Sequence, residues 1–265
     1  MRIGFIGDVH GHERELIAML GQLEEHGVDD IVSLGDVVDR GPRSLACLHI
    51  MSDWDFLPRN SHQPRPLKMV KGNHEDAYVR ICNREAKPGR QIVEAPEDRA
   101  LSRRFSRADV TFMRSLPTSL YFPEIDVTAL HGGVTPHMAE IDDFALRVRY
   151  LDDRHYELRG TMPSDVYWAE VYDGRFGLIL CGHESHLGPS LYENALALDG
   201  EGFRRLHAAV ISNEEGADWL TCFTLHYGSE QVRQVEPDHD PVRLHSPGGR
   251  ALRNASFRQT LLPWG

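Results

Sequence analysis

A short apolar run, RIGFI at residues 2 to 6, ends in Gly7 and suits a buried strand. The next stretch, HERELIAMLGQLEEHG, puts Leu16, Ile17, Leu20 and Leu23 on one helical face, with Gly27 as the stop. DDIVSLGD at 29 to 36 reads as a second strand, and RSLACLHIMSDW at 43 to 54 as a second helix. PLKMVKGNHE at 66 to 75 reads as a third strand running into a third helix. Strand, helix, strand, helix and strand in this order predict right-handed crossovers and a parallel sheet core, hence an α/β fold.

The pattern then loosens. NREAKPGRQIVEAPEDRALSRRFSRAD, residues 83 to 109, is polar, contains proline and has sparse apolar positions. It reads as a helical lid or flexible surface insertion. SLYFP, DVTALHGG and FGLILCGH return to strand character. RRLHAAVIS, DWLTCFTLHY and EQVRQVE are three further β-rich runs separated by turns. We read residues 1–240 as one domain and 241–265 as a tail whose Pro, Gly and Arg content carries little periodicity.

Composition narrows the class. The 265 residues can bury a substantial core, and their 29 basic and 40 acidic residues give a net charge of −11. That balance argues against a general nucleic-acid-binding surface. The four cysteines are scattered, as expected of reduced thiols in a cytoplasmic protein. No signal-peptide pattern precedes Asp8, and no apolar run approaches a membrane span. The fifteen histidines are a generous supply of metal ligands, so their positions matter.

Five segments follow predicted strands directly: Asp8 and His10 in GDVHG, Asp36, Asp39 and Arg40 in GDVVDRG, Asn73 and His74 in GNHE, His131 in HGG, and His183 in CGHE. In open α/β sheets ligands bind beyond the carboxyl ends of the strands, so these residues are expected to converge. Each segment alone is weak, because Asp-Gly pairs are mostly turns and lone histidines mostly pack or face water. Five in series, with acid or imidazole at each tip, are better explained by one site. Carboxylate and imidazole together suit Mn, Fe or Zn rather than calcium.

The series GDxHG, GDxVDRG, GNHE, HGG, GH resembles the calcineurin-like metallophosphoesterases, specifically the serine/threonine phosphoprotein phosphatase branch with its bacterial and phage relatives. The resemblance covers roughly the first 200 residues, where FMRSLPTSLYF also looks like the family's approach to HGG. It implies a sandwich of two mixed β-sheets flanked by helices. It also implies one metal held by Asp8, His10 and Asp36, and a second held by Asp36, Asn73, His131 and His183. Manganese is the first expectation, with Fe, Zn, Ni or Co as alternatives. Such a pair clamps a phosphoryl group for in-line displacement. By the same resemblance, His74 protonates the leaving oxygen, Asp39 supports the imidazolium, and Arg40 binds phosphate, for which its planar fork is apt.

Three positions depart from the family pattern. VYWAEVY has Glu170 where many members carry a phosphate-binding arginine, and Arg147, Arg149, Arg159 and Arg175 are all candidates to replace it. CGHESH has Glu184 in place of the usual threonine, and LALDGEGF lacks the threonine of the closing segment. His186, His207, His226 and His245 read as surface or packing residues, and Trp54, Trp219 and Trp264 as core or cover. SRRFSR reads as a solvated helix face.

The expectation is a binuclear phosphatase acting on phosphomonoesters, with phosphoprotein Ser/Thr as one substrate class. The alternative is a dinucleoside polyphosphate hydrolase, although the related tetraphosphatases tend to carry Gln where His10 stands. A non-catalytic binding module is a third reading, opposed by intact Asp39, Arg40 and His74. The expected partner is thus a phosphorylated protein or nucleotide, with no membrane and no oligomeric state implied.

Overall fold

Alternation along the first strand decides how the layers stack. In Arg2–Ile6, Ile3 and Phe5 enter one buried cluster, while Ile6 enters another on the opposite face. Gly4 shares that second face, where a Cβ would lie 3.0 Å from Leu23, so the missing side chain lets the first helix approach. A strand covered on both sides belongs at the centre of a layered α/β fold.

The computed structural model describes residues 1–58, 61, 63–84, 96–151, 166–200, 204–229 and 231–239. Two six-stranded mixed sheets form its frame. The first runs Val232–Val235, Leu220–His226, Arg205–Ser212, Arg2–Ile6, Asp30–Ser33, Lys68–Met69. Its last three strands are mutually parallel, joined by the helices Glu13–Glu25 and Ser44–Asp53 as the crossover pattern predicts. The second runs Asp238–His239, Ser190–Leu191, Ala195–Ala197, Leu178–Cys181, Val127–Leu130, Ser119–Phe122, with Leu178–Cys181 parallel to both neighbours. Ile3, Phe5, Val32, Leu34 and Val70 from the first sheet pack with Val127, Ala129, Leu178, Leu180 and Leu196 from the second, so the main core lies between the sheets.

The predicted face of the first helix needs one correction. Leu16, Met19, Leu20 and Leu23 are buried, whereas Ile17 is 42% exposed. The buried set is i, i+3, i+4, i+7, and Ile17 sits a further 100° around from Leu16, off that stripe.

In the polar middle segment, residues 85–95 lie outside the described residues, and SRRFSR differs from its reading. The helices Pro96–Ser102 and Arg107–Ser115 flank a turn, so SRRFSR is a helix junction rather than one helix face. Ser106 caps the later helix, accepting from Asp109 N–H at 3.2 Å while the Asp109 carboxylate accepts from Ser106 N–H. Phe105 is buried with Val38, Leu48, Tyr78, Val79 and Met113, a satellite core beside the helix Asn73–Asn83. The tail after residue 240, with His245 and Trp264, lies outside the described residues. Among the described residues no helix is long and apolar enough to cross a membrane.

Candidate metal centre and its acid pair

Both sheets deliver their polar tips to one edge. Asp8 and His10 follow Arg2–Ile6, Asp36 follows Asp30–Ser33, and Asn73 and His74 open the helix after Lys68–Met69. His131 follows Val127–Leu130, and His183 follows Leu178–Cys181. These are the carboxyl ends of strands that run parallel within each sheet. The turns are tight. His10, Asp36, Asp39, Arg40 and His183 all take positive φ, between 47° and 76°. Each such residue costs about 1–2 kcal/mol relative to ordinary backbone, and strain of this kind collects at functional sites. Glycines make the room: a Cβ on Gly182 would collide with the Asp8 carboxylate, and one on Gly72 with that of Asp36.

Asp36 sits at the middle of the cluster. Its Oδ2 lies 3.3 Å from His131 Nε2, 3.6 Å from His74 Nε2 and 3.8 Å from His10 Nε2. It belongs both to a His10–Asp36–His74 group and to an Asp36–His131–His183 group, whose ligand atoms lie within 4.8 Å of one another. His10 Nε2 is 3.9 Å from Asp8 Oδ2, and Asp8 accepts from His183 N–H at 3.2 Å. His131 Nε2 is 2.8 Å from Asn73 Oδ1. The six residues expected to hold metal are thus brought together, with His74 beside them.

The surroundings fit divalent cations. His10 Nδ1 lies 3.0 Å from Val38 O, and His131 Nδ1 lies 2.9 Å from Leu34 O. An Nδ1–H donating to a carbonyl fixes the ring and leaves Nε2 with its lone pair toward the carboxylates, the usual support of a metal-binding imidazole. The buried His10 Nε2 has no hydrogen-bond partner, a costly state that a cation would relieve. Burial pushes His10 down to about 4 and His183 well below the usual imidazole range, which keeps both rings neutral; the lone pair of His183 Nε2 meets Arg149. Burial, then the charges of Asp199 and Asp36, raises Asp8, as expected of carboxylates crowded without a counter-ion.

Beside this cluster, His74 Nδ1 and Asp39 Oδ2 lie 2.7 Å apart. Tyr78 hydroxyl and Arg40 N–H donate to the other Asp39 oxygen at 3.2 and 2.7 Å. The bond from His74 holds Asp39 down at about 2 against the opposing effect of burial. Burial pulls His74 down, but the Asp36 charge and the bond and charge of Asp39 outweigh it, so His74 ends above the ordinary imidazole value. Arg40 is exposed, and its charge acts on Asp8, His10 and His74.

Sequence reasoning gave Glu75 no task, although GNHE contains it. Fully buried, it accepts N–H bonds from Asp36, Val37, Val38 and Gly72 at 2.9 to 3.2 Å, clamping the loop that carries Asp36 and Asp39. Tyr78 and Asp199 were missed as well; Ser185 hydroxyl donates to Asp199 at 3.0 Å. A glutamate two residues after a ligand asparagine, at the third position of its helix, was the available signal for Glu75.

Among the four arginines proposed to replace the one missing at Glu170, Arg149 reaches the site. Its Nε donates to His183 Nε2 at 2.8 Å and lies 3.5 Å from Glu184 Oε2. Tyr150 hydroxyl donates to the other Glu184 oxygen at 2.7 Å, and burial, then Glu184, pushes that hydroxyl up to about 12. Arg175 instead donates to the carbonyls of Met138 and Thr135, Arg147 is exposed, and Arg159 lies outside the described residues. His207 is buried against Thr224, 2.8 Å from its hydroxyl, and His226 is exposed, in keeping with packing and surface roles.

The family model for calcineurin-like phosphoesterases matches residues 1–220. A symmetrical bis(5'-nucleosyl)-tetraphosphatase of Yersinia enterocolitica is 31% identical over 168 residues, covering 61% of this chain and 49% of that protein. One of Actinobacillus pleuropneumoniae is 30% identical over 137 residues, covering 49% and 44%. The chain thus spans about half the length of these curated relatives. In structure, it is similar to a candidate diadenosine tetraphosphatase with TM-score 0.65, at 20% identity over 85% of this chain and 93% of the other. A cold-active protein-tyrosine phosphatase of a psychrophilic Shewanella gives 0.53, at 17% identity over 89% and 80%. At these identities the structural likeness speaks to the fold.

Proposed function

The chain belongs to the calcineurin-like phosphoesterase family, and from that premise we propose that it is a metal-dependent hydrolase of dinucleoside polyphosphates. The observation that carries the hydrolytic reading is the His74–Asp39 pair, 2.7 Å apart, beside the Asp36 cluster. A binding module would have no use for an imidazole held by a carboxylate beside a phosphoryl site. The substrate class draws its support from the tetraphosphatase relatives.

Asp8, His10 and Asp36 would hold one cation, and Asp36, Asn73, His131 and His183 another, with manganese first among the candidates. When bound, two divalent cations supply Lewis-acid charge to the phosphoryl oxygens. Arg40 and Arg149 would orient the phosphoryl group through charge-assisted hydrogen bonds. Asp39 holds His74 through Nδ1, leaving Nε2 to give its proton to the departing oxygen. Glu75 fixes the loop so that Asp36 and Asp39 keep their spacing.

A second reading, hydrolysis of phosphomonoesters including phosphoprotein side chains, is favoured by His10, which stands where the tetraphosphatase branch tends to carry Gln. The experiment offers the manganese-loaded chain a dinucleoside tetraphosphate, a phosphoserine peptide and an aryl phosphate. The proposal expects nucleoside diphosphate as the nucleotide product and the highest kcat/KM for the tetraphosphate. Turnover of the peptide with an inert tetraphosphate would select the second reading.

A further inference from the structure

Strand pairing delivers Arg149 to the metal-ligand cluster. The residue precedes the strand Tyr150–Leu151, which pairs with Val166–Tyr167, and its carbonyl accepts from Trp168 N–H at 3.0 Å. Trp168 is fully buried and opens the short helix that ends at Glu170. The backbone therefore brings an arginine beside the position where many family members carry one. It does not fix the side chain, which is 44% exposed. An arginine carries about 2 kcal/mol of rotamer entropy, so the anchors of the guanidinium decide where it rests.

Two anchors meet Arg149 Nε: His183 Nε2 at 2.8 Å and Glu184 Oε2 at 3.5 Å. They are not equivalent. A neutral imidazole has one ring lone pair, on the nitrogen that carries no proton. Once His183 ligates a cation, that lone pair is committed. If the ligating atom is Nε2, Arg149 loses its acceptor outright. If it is Nδ1, Nε2 carries the proton and faces Arg149 as a second donor. The Glu184 carboxylate keeps its acceptors in either case, and closing 3.5 Å to hydrogen-bond length takes a shift of under about 1 Å. Glu184 is itself held. Tyr150 hydroxyl donates to its other oxygen at 2.7 Å, and the Tyr150 and Tyr167 ring centres lie 5.9 Å apart.

We propose that Glu184 is a positioning residue, which with Tyr150 holds Arg149 by its Nε edge and leaves Nη1 and Nη2 for the phosphoryl group. The inference rests on the reading of Arg149 as a phosphoryl-binding residue. The glutamates at 170 and 184 then belong to one exchange: position 149 supplies the arginine, and a carboxylate replaces the family's threonine to hold it. A threonine hydroxyl has no charge to pair with a guanidinium. Without such a task, a carboxylate at this place would only repel the phosphate.

That repulsion makes the sign of one substitution decisive. The test measures the Kd of orthophosphate by calorimetry on the full manganese-loaded chain, with metal occupancy determined in each variant. Arg149→Met should raise Kd about tenfold or more, the worth of a lost charge-assisted bond. Glu184→Gln keeps the shape, removes a negative charge and should nonetheless raise Kd about fivefold, the upper reach of a partly exposed ion pair. In the Arg149→Met chain the same change should leave Kd unchanged or lower it, because only the repulsion remains. Where manganese occupancy falls in Glu184→Gln, Tyr150→Phe is read in its place, with a smaller rise expected and no rise overturning the proposal. Tighter phosphate binding in Glu184→Gln, or an equal rise with and without Arg149, would also overturn it. Selection of the phosphopeptide reading would leave these values as they are. An unchanged Kd in Arg149→Met would end both this proposal and the phosphoryl role of Arg149.

Discussion

Arg149 donates from Nε to His183 Nε2 at 2.8 Å while its charge also lies 3.5 Å from Glu184 Oε2. An arginine thus stands at the rim of the Asp36 cluster, although the position expected to provide one is Glu170. Arg149→Met should reduce kcat/KM for a phosphate ester roughly ten- to a hundredfold, the worth of a hydrogen bond to a charged group. Steady-state kinetics at constant metal occupancy checks this. Unchanged kinetics would mean that Arg149 serves only to hold His183.

Glu75→Ala should unfold the loop around Asp36 before the rest of the domain. The substitution strips partners from four backbone N–H groups, and each donor left buried costs about 1–3 kcal/mol before relaxation. Water entering the vacated space offsets part of the sum, so a loss of about 3–5 kcal/mol is expected, in the range of a broken buried network. Urea unfolding measures it, and a change below about 1 kcal/mol, the size of a typical single mutation, would contradict the clamp.

Metal analysis under saturating manganese should approach two ions per chain, because ligand-type side chains of six residues (Asp8, His10, Asn73, His74, His131 and His183) surround Asp36. Gly182→Ala forces a methyl group into the Asp8 carboxylate and should lower that occupancy while leaving most of the fold intact. A firm stoichiometry of one in the wild-type chain would exclude the two-ion arrangement.

His207 gives a pH dependence separate from the metal site. Burial lowers it from 6.5 to about 4. A base with a depressed folded-state pKa binds its proton more readily when unfolded. Its contribution is therefore fully present above pH 6.5 and is lost as the pH falls toward 4. At about 1.36 kcal/mol per pKa unit the loss reaches roughly 3 kcal/mol. His207→Gln keeps a partner for Thr224 and should lose less stability between pH 7 and pH 5 than the wild type. Equal losses in thermal melts would remove His207 from the acid response.

What could be read from the chain follows from the range of each interaction. The strand tips announced themselves because glycine, acid and imidazole recur immediately after apolar runs, and both glycine conformation and strand periodicity are local. Glu75 was visible in GNHE, but its four donors come from another loop, so its purpose depends on tertiary contact. The same holds for Arg149: four arginines were equivalent in sequence, and the path of the chain past His183 chose among them. Ile17 and Met19 are both apolar, and the neighbouring strands select which one is buried. The charges of SRRFSR suggest a solvated face, whereas Phe105 packs on Tyr78 at a junction between two helices, a contact that depends on tertiary structure.

The most direct test of the account is the dependence of His74→Asn on the leaving group, with metal occupancy measured in each variant because Asn73 adjoins it. In the proposed mechanism cations and arginines stabilise charge on phosphorus, and His74 protonates the departing oxygen. General acid catalysis contributes about 10²–10⁴-fold, and an alkyl phosphate should lose a factor near the top of that range. An aryl phosphate, whose leaving group barely needs the proton, should lose far less, and Asp39→Asn should show the same trend more weakly. Equal losses on both esters at full occupancy would contradict the assignment and leave His74 as a positioning residue.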